Sequence, residues 1–226
     1  MIIIENLLST DEVRDFKTRL EAVPWIDGGH TAMGMAADVK HNAQADPEDG
    51  HVREMVNLIL HKMGQHPTLV SAALPHRIFP PVFNRYRAGE TYGYHVDAAI
   101  MRMPDSSEVI RSDVSMTLFL SQPDEYEGGE LVISTEFGEQ RVKCKAGDAV
   151  AYPSSSLHQV SPVTRGERLA VVTWMQSLVA DSGVRQTLHQ LDACIQSLVI
   201  NKHVERAELD RLHNVYHNLV RHYAQL

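Results

Sequence analysis

The chain has 226 residues, 43% hydrophobic and 22% charged, the balance of an ordinary soluble globular protein rather than a disordered or fibrous one. Its formal net charge of -8 is not offset by any Lys/Arg-rich block, which argues against a nucleic-acid partner. No apolar run approaches the roughly 20 residues of a membrane span, and the start Met1-Ile2-Ile3-Ile4 lacks the basic flank and length of a signal peptide, so the expected setting is cytoplasmic and reducing, with Cys144 and Cys194 as free buried thiols.

Ile2 to Ile4 read as a short strand. Ser9-Thr10-Asp11-Glu12 has the form of a capping box, and Val13, Phe16 and Leu20 give the following helix an apolar stripe to about Ala22. Residues 27–50 lack a period and read as irregular or partly extended chain placed to cover a site. A second helical stripe, Val52, Met55, Val56, Ile59, Leu60 and Met63, is ended by Pro67. From Ile78 onward the period shortens. Segments at 77–79, 82–86, 94–97, 112–121, 131–134, 140–145, 149–152, 158–163 and 169–176 read as extended, separated by turn signals such as Gly128-Gly129 and Gly147-Asp148. Residues 101–111 read as a loop, either a lid or plain surface. Such a series of short strands favours a sandwich or jelly roll. After Gly183 the period is helical again, with stripes Val184, Leu188, Leu191, Ile195, Leu198 and Leu209, Leu212, Tyr216, Leu219, Val220 separated near Asn201-Lys202. The expected organisation is a helical and strand segment over 1–76, a β core over 77–177 and a helical annex over 178–226.

Within the β core, Tyr94-His95-Val96-Asp97 follows a Gly-containing turn. Two residues apart on a strand share one face, so His95 and Asp97 can offer an imidazole nitrogen and a carboxylate oxygen to one metal. A further His would complete the two-His, one-carboxylate arrangement suited to iron(II), and His158, which follows the turn and strand 147–153, is the best candidate. Arg168 heads the next strand. A guanidinium inside a barrel needs an anionic partner, and its planar fork suits a carboxylate.

His95-Val96-Asp97, the distal His158 and Arg168 resemble the metal triad and co-substrate anchor of the iron(II)/2-oxoglutarate-dependent dioxygenases. Asn84-Arg85-Tyr86 through Asp97, together with Tyr126-Glu127-Gly128-Gly129-Glu130-Leu131, is similar to the prolyl-4-hydroxylase-like branch, and the whole chain resembles the bacterial PKHD-type hydroxylases, some described as iron-uptake factors. The resemblance implies a mainly β fold with helices, a double-stranded β-helix (jelly roll) core flanked by N-terminal helices and a C-terminal helical hairpin. It also implies iron(II) held by His95, Asp97 and His158, with 2-oxoglutarate as co-substrate anchored by Arg168 and by Tyr86 as a second donor. Dioxygen would be consumed, 2-oxoglutarate would be decarboxylated to succinate, and a substrate C–H would be hydroxylated; L-ascorbate is a further expected cofactor. The implied substrate is a peptidyl side chain, an amino acid or a siderophore-like small molecule, with a role linked to iron uptake. No membrane partner is expected, and the C-terminal helices offer a surface for homo-oligomers.

Two competing functions follow from the same residues. Asn84-Arg85-Tyr86 also matches oxidative nucleic-acid dealkylases, but these carry a second Arg six positions after the first, where this chain has Trp174. A non-catalytic iron or small-ligand module would keep the fold and lose part of the triad or Arg168. The remaining candidates read as background. His213 and His217 are spaced for chelation on a helix but have no third ligand nearby, and with His189, His203 and His222 they read as solvated helix positions. Tyr92 and Tyr94 read as wall or core, Thr173 and Trp174 as pocket lining or core, Cys144 as a buried hydrophobe, and Asp124-Glu125-Tyr126-Glu127 as a solvated turn.

Overall fold

The computed structural model describes residues 1–31, 35–201 and 204–226. Strand β1 (Ile2–Ile4) leads into helix α1 (Thr10–Leu20), whose capping box forms as expected: the Ser9 hydroxyl accepts from Glu12 N and the Glu12 carboxylate accepts from Ser9 N. Residues 27–50 are more ordered than their composition suggests. They hold the end of β2 (Trp25–Asp27), a 3-10 turn (Gly28–Thr31), a helical turn α2 (Met35–Asp38) and strands β3 (Lys40–His41) and β4 (Ala43–Ala45). The strands there are too short to show a period, and only pairing with a distant strand defines them. Helix α3 (Gly50–Gln65) is capped by Asp49, which accepts from His51 N and Val52 N. Pro67 ends it and also begins a second helix, α4 (Pro67–Ala73), because proline suits the first helical position.

The β core runs through β5 (Pro75–Ile78), β6 (Val82–Arg87), β7 (Thr91–His95), the hairpin β8 (Ile100–Arg102) and β9 (Val109–Arg111), β10 (Val114–Phe119), β11 (Tyr126–Gly128), β12 (Leu131–Thr135), β13 (Gly138–Val142), β14 (Ala149–Pro153), β15 (His158–Val160) and β16 (Val163–Ser177). One sheet has the order β1-β14-β10-β16-β6-β4-β2, with β11 and β5 also pairing β16; the other has β13-β12-β15-β7-β3. All their pairings are antiparallel, giving a double-stranded β-helix. The N-terminal segment adds strands to both sheets: β1 and β4 to the larger, β3 to the smaller. The expected loop at 101–111 is mostly the β8–β9 hairpin.

Helices α1 and α3 cover the outer face of the larger sheet. Phe16, Leu20, Val52, Met55, Ile59 and Met63 bury against Ile4, Phe83, Met116, Leu118 and Val171. Each such side chain contributes about 1.5–3 kcal/mol of transfer free energy. At the other end α5 (Ser182–Asn201) and α6 (Arg206–Tyr223) form the hairpin annex. Leu188 and Val179 bury with Leu74, and Tyr216, Leu219 and Val220 pack against that cluster. Lys202 and His203 lie outside the described residues. Cys144 and Cys194 are free, but neither is fully buried as expected: Cys144 is half-buried, and Cys194 is exposed on α5, off the face that buries Leu188 and Ile195. Among the described residues no helix is long and apolar enough to cross a membrane.

Candidate metal centre

The antiparallel pairing of β7 with β15 sets His95 directly opposite His158, so their side chains leave neighbouring strands toward one face. Asp97 departs from expectation. Strand β7 ends at His95, where its ladder partner ends, and Asp97 stands on the loop beyond it. It still reaches the same point: Asp97 Oδ1 lies 3.9 Å from His95 Nε2 and Oδ2 lies 3.8 Å from His158 Nε2. The three ligand atoms all lie within 4.8 Å of one another, the only such His/Cys/Asp/Glu group among the described residues.

The imidazoles are fixed in the tautomer a metal needs. His95 Nδ1 lies 2.8 Å from the Gly93 carbonyl and His158 Nδ1 lies 2.9 Å from the Ser156 carbonyl. A carbonyl only accepts, so each Nδ1 carries the proton and each Nε2 keeps its lone pair toward the centre. Burial, followed by the charge of His158, pushes His95 down to about 4, so its ring is neutral near pH 7. Both rings are under one-tenth exposed. On the carboxylate side, the buried Ser115 donates to Asp97 Oδ2 at 2.6 Å and meets the buried Ser154 Oγ at 2.7 Å. Such outer contacts orient ligands and tune metal affinity.

Around the triad stands a set of phenols. Tyr92 stacks on the His95 ring with centroids 3.6 Å apart and planes 13° from parallel. Tyr152, buried, meets the His158 ring edge-on at 5.1 Å. Lys40, 8% exposed on β3, places Nζ 5.3 Å from the centre of the Tyr92 ring. Burial lowers Lys40 to about 8 while the Asp97 charge acts to raise it, which leaves an ammonium near pH 7.

Arg168 is 1% exposed, on β16 opposite Tyr86 of β6. Its guanidinium lies 5.2 Å from the Tyr86 ring centre and 5.5 Å from that of Phe119. Among the described residues, Arg168 Nε and Nη2 and the buried Tyr126 hydroxyl have no hydrogen-bond partner. A buried guanidinium left so costs several kcal/mol, so its surroundings suit an anion. Burial pushes the Tyr86 phenol up to about 12, which keeps it a protonated donor. Tyr152 joins the two regions, since both the Asp97 and Arg168 charges act on it.

The structure therefore brings together His95, Asp97 and His158, and places Arg168 and Tyr86 side by side. Lys40, Ser115, Ser154, Tyr126 and Tyr152 also belong here and were not singled out for it. Tyr126 had looked like part of a solvated turn, but it is buried and clusters with Tyr86, Val160 and Val163. Tyr94 is exposed and bonds Glu139 on the outer face. Trp174 packs edge-on to Phe79, and the buried Thr173 bonds the Phe79 carbonyl. His189 is not merely solvated, because its Nδ1 lies 2.9 Å from Ser71 Oγ at the α4–α5 contact.

Comparison with known proteins agrees with this geometry. Residues 81–176 match the model of the 2OG-Fe(II) oxygenase superfamily, and residues 183–225 match the PKHD-type hydroxylase C-terminal domain. A PKHD-type hydroxylase of Shewanella frigidimarina is 62% identical over 226 residues, covering all of both chains. Among solved structures, a Pseudomonas putida prolyl-4-hydroxylase is similar at a TM-score of 0.52 and 22% identity, covering 78% of this chain and 91% of the other. A viral collagen prolyl hydroxylase from Paramecium Bursaria Chlorella virus-1, in its 2OG complex, also gives 0.52, at 16% identity, covering 78% and 94%. At these identities the solved structures speak to the fold.

Proposed function

This chain belongs to the PKHD-type hydroxylases of the 2OG-Fe(II) oxygenase superfamily, and from that premise we propose that His95, Asp97 and His158 hold its iron(II) while Arg168 anchors 2-oxoglutarate, with Tyr86 as a second donor. The observation that carries this reading is the buried Arg168 fork, with two nitrogens unpartnered among the described residues, linked to the three-ligand cluster through Tyr152, on which both the Asp97 and Arg168 charges act. The residues fit both groups: two neutral imidazoles and a carboxylate suit a divalent iron, and a guanidinium beside phenols suits a carboxylate. When bound, iron(II) with 2-oxoglutarate and dioxygen supplies oxidation of a substrate C–H, with succinate and CO₂ released. The chain's own part is positional. Gly93 and Ser156 carbonyls aim the imidazoles, Ser115 aims the carboxylate, and Tyr86, Tyr92, Tyr126 and Tyr152 wall the space and restrict water.

The test is metal and co-substrate binding, measured separately. His95→Ala and Asp97→Ala abolish stoichiometric iron(II) or cobalt(II) uptake. Arg168→Ala keeps the metal but weakens 2-oxoglutarate by about tenfold to 150-fold, the loss of about 1.5–3 kcal/mol from a charge-assisted contact. An unchanged 2-oxoglutarate affinity in Arg168→Ala would remove that assignment, and succinate release without added iron(II) would remove the metal assignment.

The finer parts of the reading belong to the same proposal. Residues 77–177 act as the catalytic core, with 1–76 packed on it and 178–226 as an annex. The substrate is a peptidyl side chain, an amino acid or a siderophore-like molecule handled in the cytoplasm, in a role linked to iron uptake. L-Ascorbate serves as a reductant that keeps the iron divalent. Exposed Val199, Ile200 and Val215 on α5 and α6 support contact between copies of the chain.

A further inference from the structure

The hydroxyl of Tyr126 has no task in the roles assigned so far, and its surroundings give it one. Tyr126 opens β11 and pairs with Gly166 of β16, two residues before Arg168. Tyr126 and Arg168 are each 1% exposed. Ring and stem lie side by side: Tyr126 Cε2 and Arg168 Cδ stand 3.0 and 3.1 Å from the point that a Cβ on Gly129 would occupy. Lys143 pins the ring. Its Nζ lies 3.9 Å from the ring centre, where an ammonium is attracted by the aromatic face, and donates to the Tyr126 carbonyl at 2.7 Å.

Three donors are unmet at this point. Among the described residues, Arg168 Nε, Arg168 Nη2 and the Tyr126 hydroxyl have no hydrogen-bond partner. Nε and Nη2 are the two nitrogens along one edge of the guanidinium, an edge that can hold a carboxylate through two parallel N–H bonds. A carboxylate held in this way can still accept a third bond, because its two oxygens offer about four lone-pair positions. Burial raises the Tyr126 phenol above its ordinary value, and the Arg168 charge opposes this without prevailing, so the group stays protonated and able to donate. Keeping a hydroxyl out of water without a partner is costly, and a phenylalanine would fill the same volume without that cost. Packing alone therefore does not account for the oxygen, whereas a third bond to the carboxylate does.

We propose that the Tyr126 hydroxyl donates to the carboxylate held by Arg168, so that the two residues together read the second carboxylate of the co-substrate and make the centre selective for a 2-oxo diacid over a 2-oxo monoacid. The inference rests on the Arg168 anchor proposed above and adds a residue to it. Tyr126 is a binding residue for the co-substrate and has no part in holding the metal.

The experiment uses the whole chain loaded anaerobically with cobalt(II), with ligand binding read through the visible absorption of the cobalt. The probes are 2-oxoglutarate and 2-oxopentanoate, which has the same five-carbon chain with a methyl group in place of the second carboxylate. Wild type prefers the diacid by about a hundredfold or more, as a site built around a polar group rejects an analogue lacking it. Tyr126→Phe keeps the ring and removes only the oxygen. It weakens 2-oxoglutarate by about tenfold, the loss of one bond to a charged group, and leaves 2-oxopentanoate within about twofold of wild type. Its melting temperature without co-substrate does not fall, because no hydrogen bond goes with the hydroxyl. A 2-oxoglutarate affinity within about twofold of wild type in Tyr126→Phe overturns the inference. So does an equal loss for both 2-oxo acids, which would give the hydroxyl to the shape of the site or to the fold. The anchor reading fails separately. A wild type with no preference for the diacid, or an Arg168→Ala variant that keeps the wild-type preference, overturns that reading and this inference with it.

Discussion

Ser115 and His95 carry two of the sharpest expectations at the scale of single residues. The Ser115 hydroxyl is the only side-chain donor recorded on Asp97 among the described residues, at 2.6 Å, and it is braced by Ser154. Ser115→Ala frees one carboxylate oxygen to rotate, and metal affinity should fall about 10–100-fold, the usual effect of losing an outer-shell contact. Cobalt(II) titration measures it; equal affinity in the variant would show that Asp97 is oriented by its loop alone. For His95, the sign of the pH effect follows from its lowered proton affinity. Between the ordinary histidine value near 6.5 and about 4, the unfolded chain takes up a proton that the folded metal-free chain resists. Stability is therefore full above about 6.5 and declines as pH falls through that window, by up to about 3 kcal/mol. Urea unfolding of metal-free protein at pH 7, 6 and 5 tests this, with His95→Gln expected to flatten the decline. Residue types explain what could be read in advance. His95, Asp97, His158 and Arg168 are chemically rare inside a strand-rich core, so each announced itself. Ser115, Tyr126 and Lys40 are common residue types, and only their cross-strand partners make them part of the site.

At the scale of elements, the pair Gly128-Gly129 was legible as a turn but its purpose was not. Gly129 has φ 65°, a left-handed conformation that favours glycine, and a Cβ there would stand 3.1 Å from Arg168 Cδ, 3.0 Å from Tyr126 Cε2 and 2.9 Å from Val163 Cγ2. The turn is therefore also the wall against which the Arg168 stem lies. Gly129→Ala should destabilise the fold by about 1–3 kcal/mol through backbone strain and should weaken 2-oxoglutarate binding more than metal binding, because the intruding methyl displaces Arg168 and not the triad. Calorimetric titration of metal-loaded protein with 2-oxoglutarate separates these; parallel losses of both ligands would point to general unfolding instead. Long helices and turn-bounded strands were readable because periodicity survives over several turns, as in α1, α3, α5 and α6. Strands β3 and β4 were not, since two or three residues carry no period and owe their existence to β7 and β6. The end of β7 was misplaced for a related reason: alternation runs on through Val96 and Asp97, while the ladder stops at His95.

Across the whole molecule, the annex and the metal centre are joined through one buried cation. Arg185 of α5 is 4% exposed and donates through Nη1 to the carbonyls of Val179 and Ala180 and through Nη2 to that of Asp113. Asp113 in turn accepts from Ser177 N and Arg111 and stands two residues before Ser115, at the start of the strand whose hydroxyl holds Asp97. The helical hairpin is thus tied to the end of β10, next to the apolar contact of Leu188 and Val179 with Leu74. Arg185→Ala leaves buried carbonyls without donors, a loss of roughly 3 kcal/mol at about 1–3 kcal/mol per group, allowing for partial relaxation. At about 2–4 °C per kcal/mol for a chain of this size, Tm should fall by roughly 6–12 °C. If the strand end transmits the change, metal affinity falls as well, by about 0.5–2 kcal/mol, although no ligand has been touched. Thermal unfolding and cobalt titration of the same variant decide between the two roles of the annex. A lower Tm with unchanged affinity makes the hairpin a clamp on the fold alone, whereas a joint loss shows that it helps hold Ser115, and through it Asp97, in place.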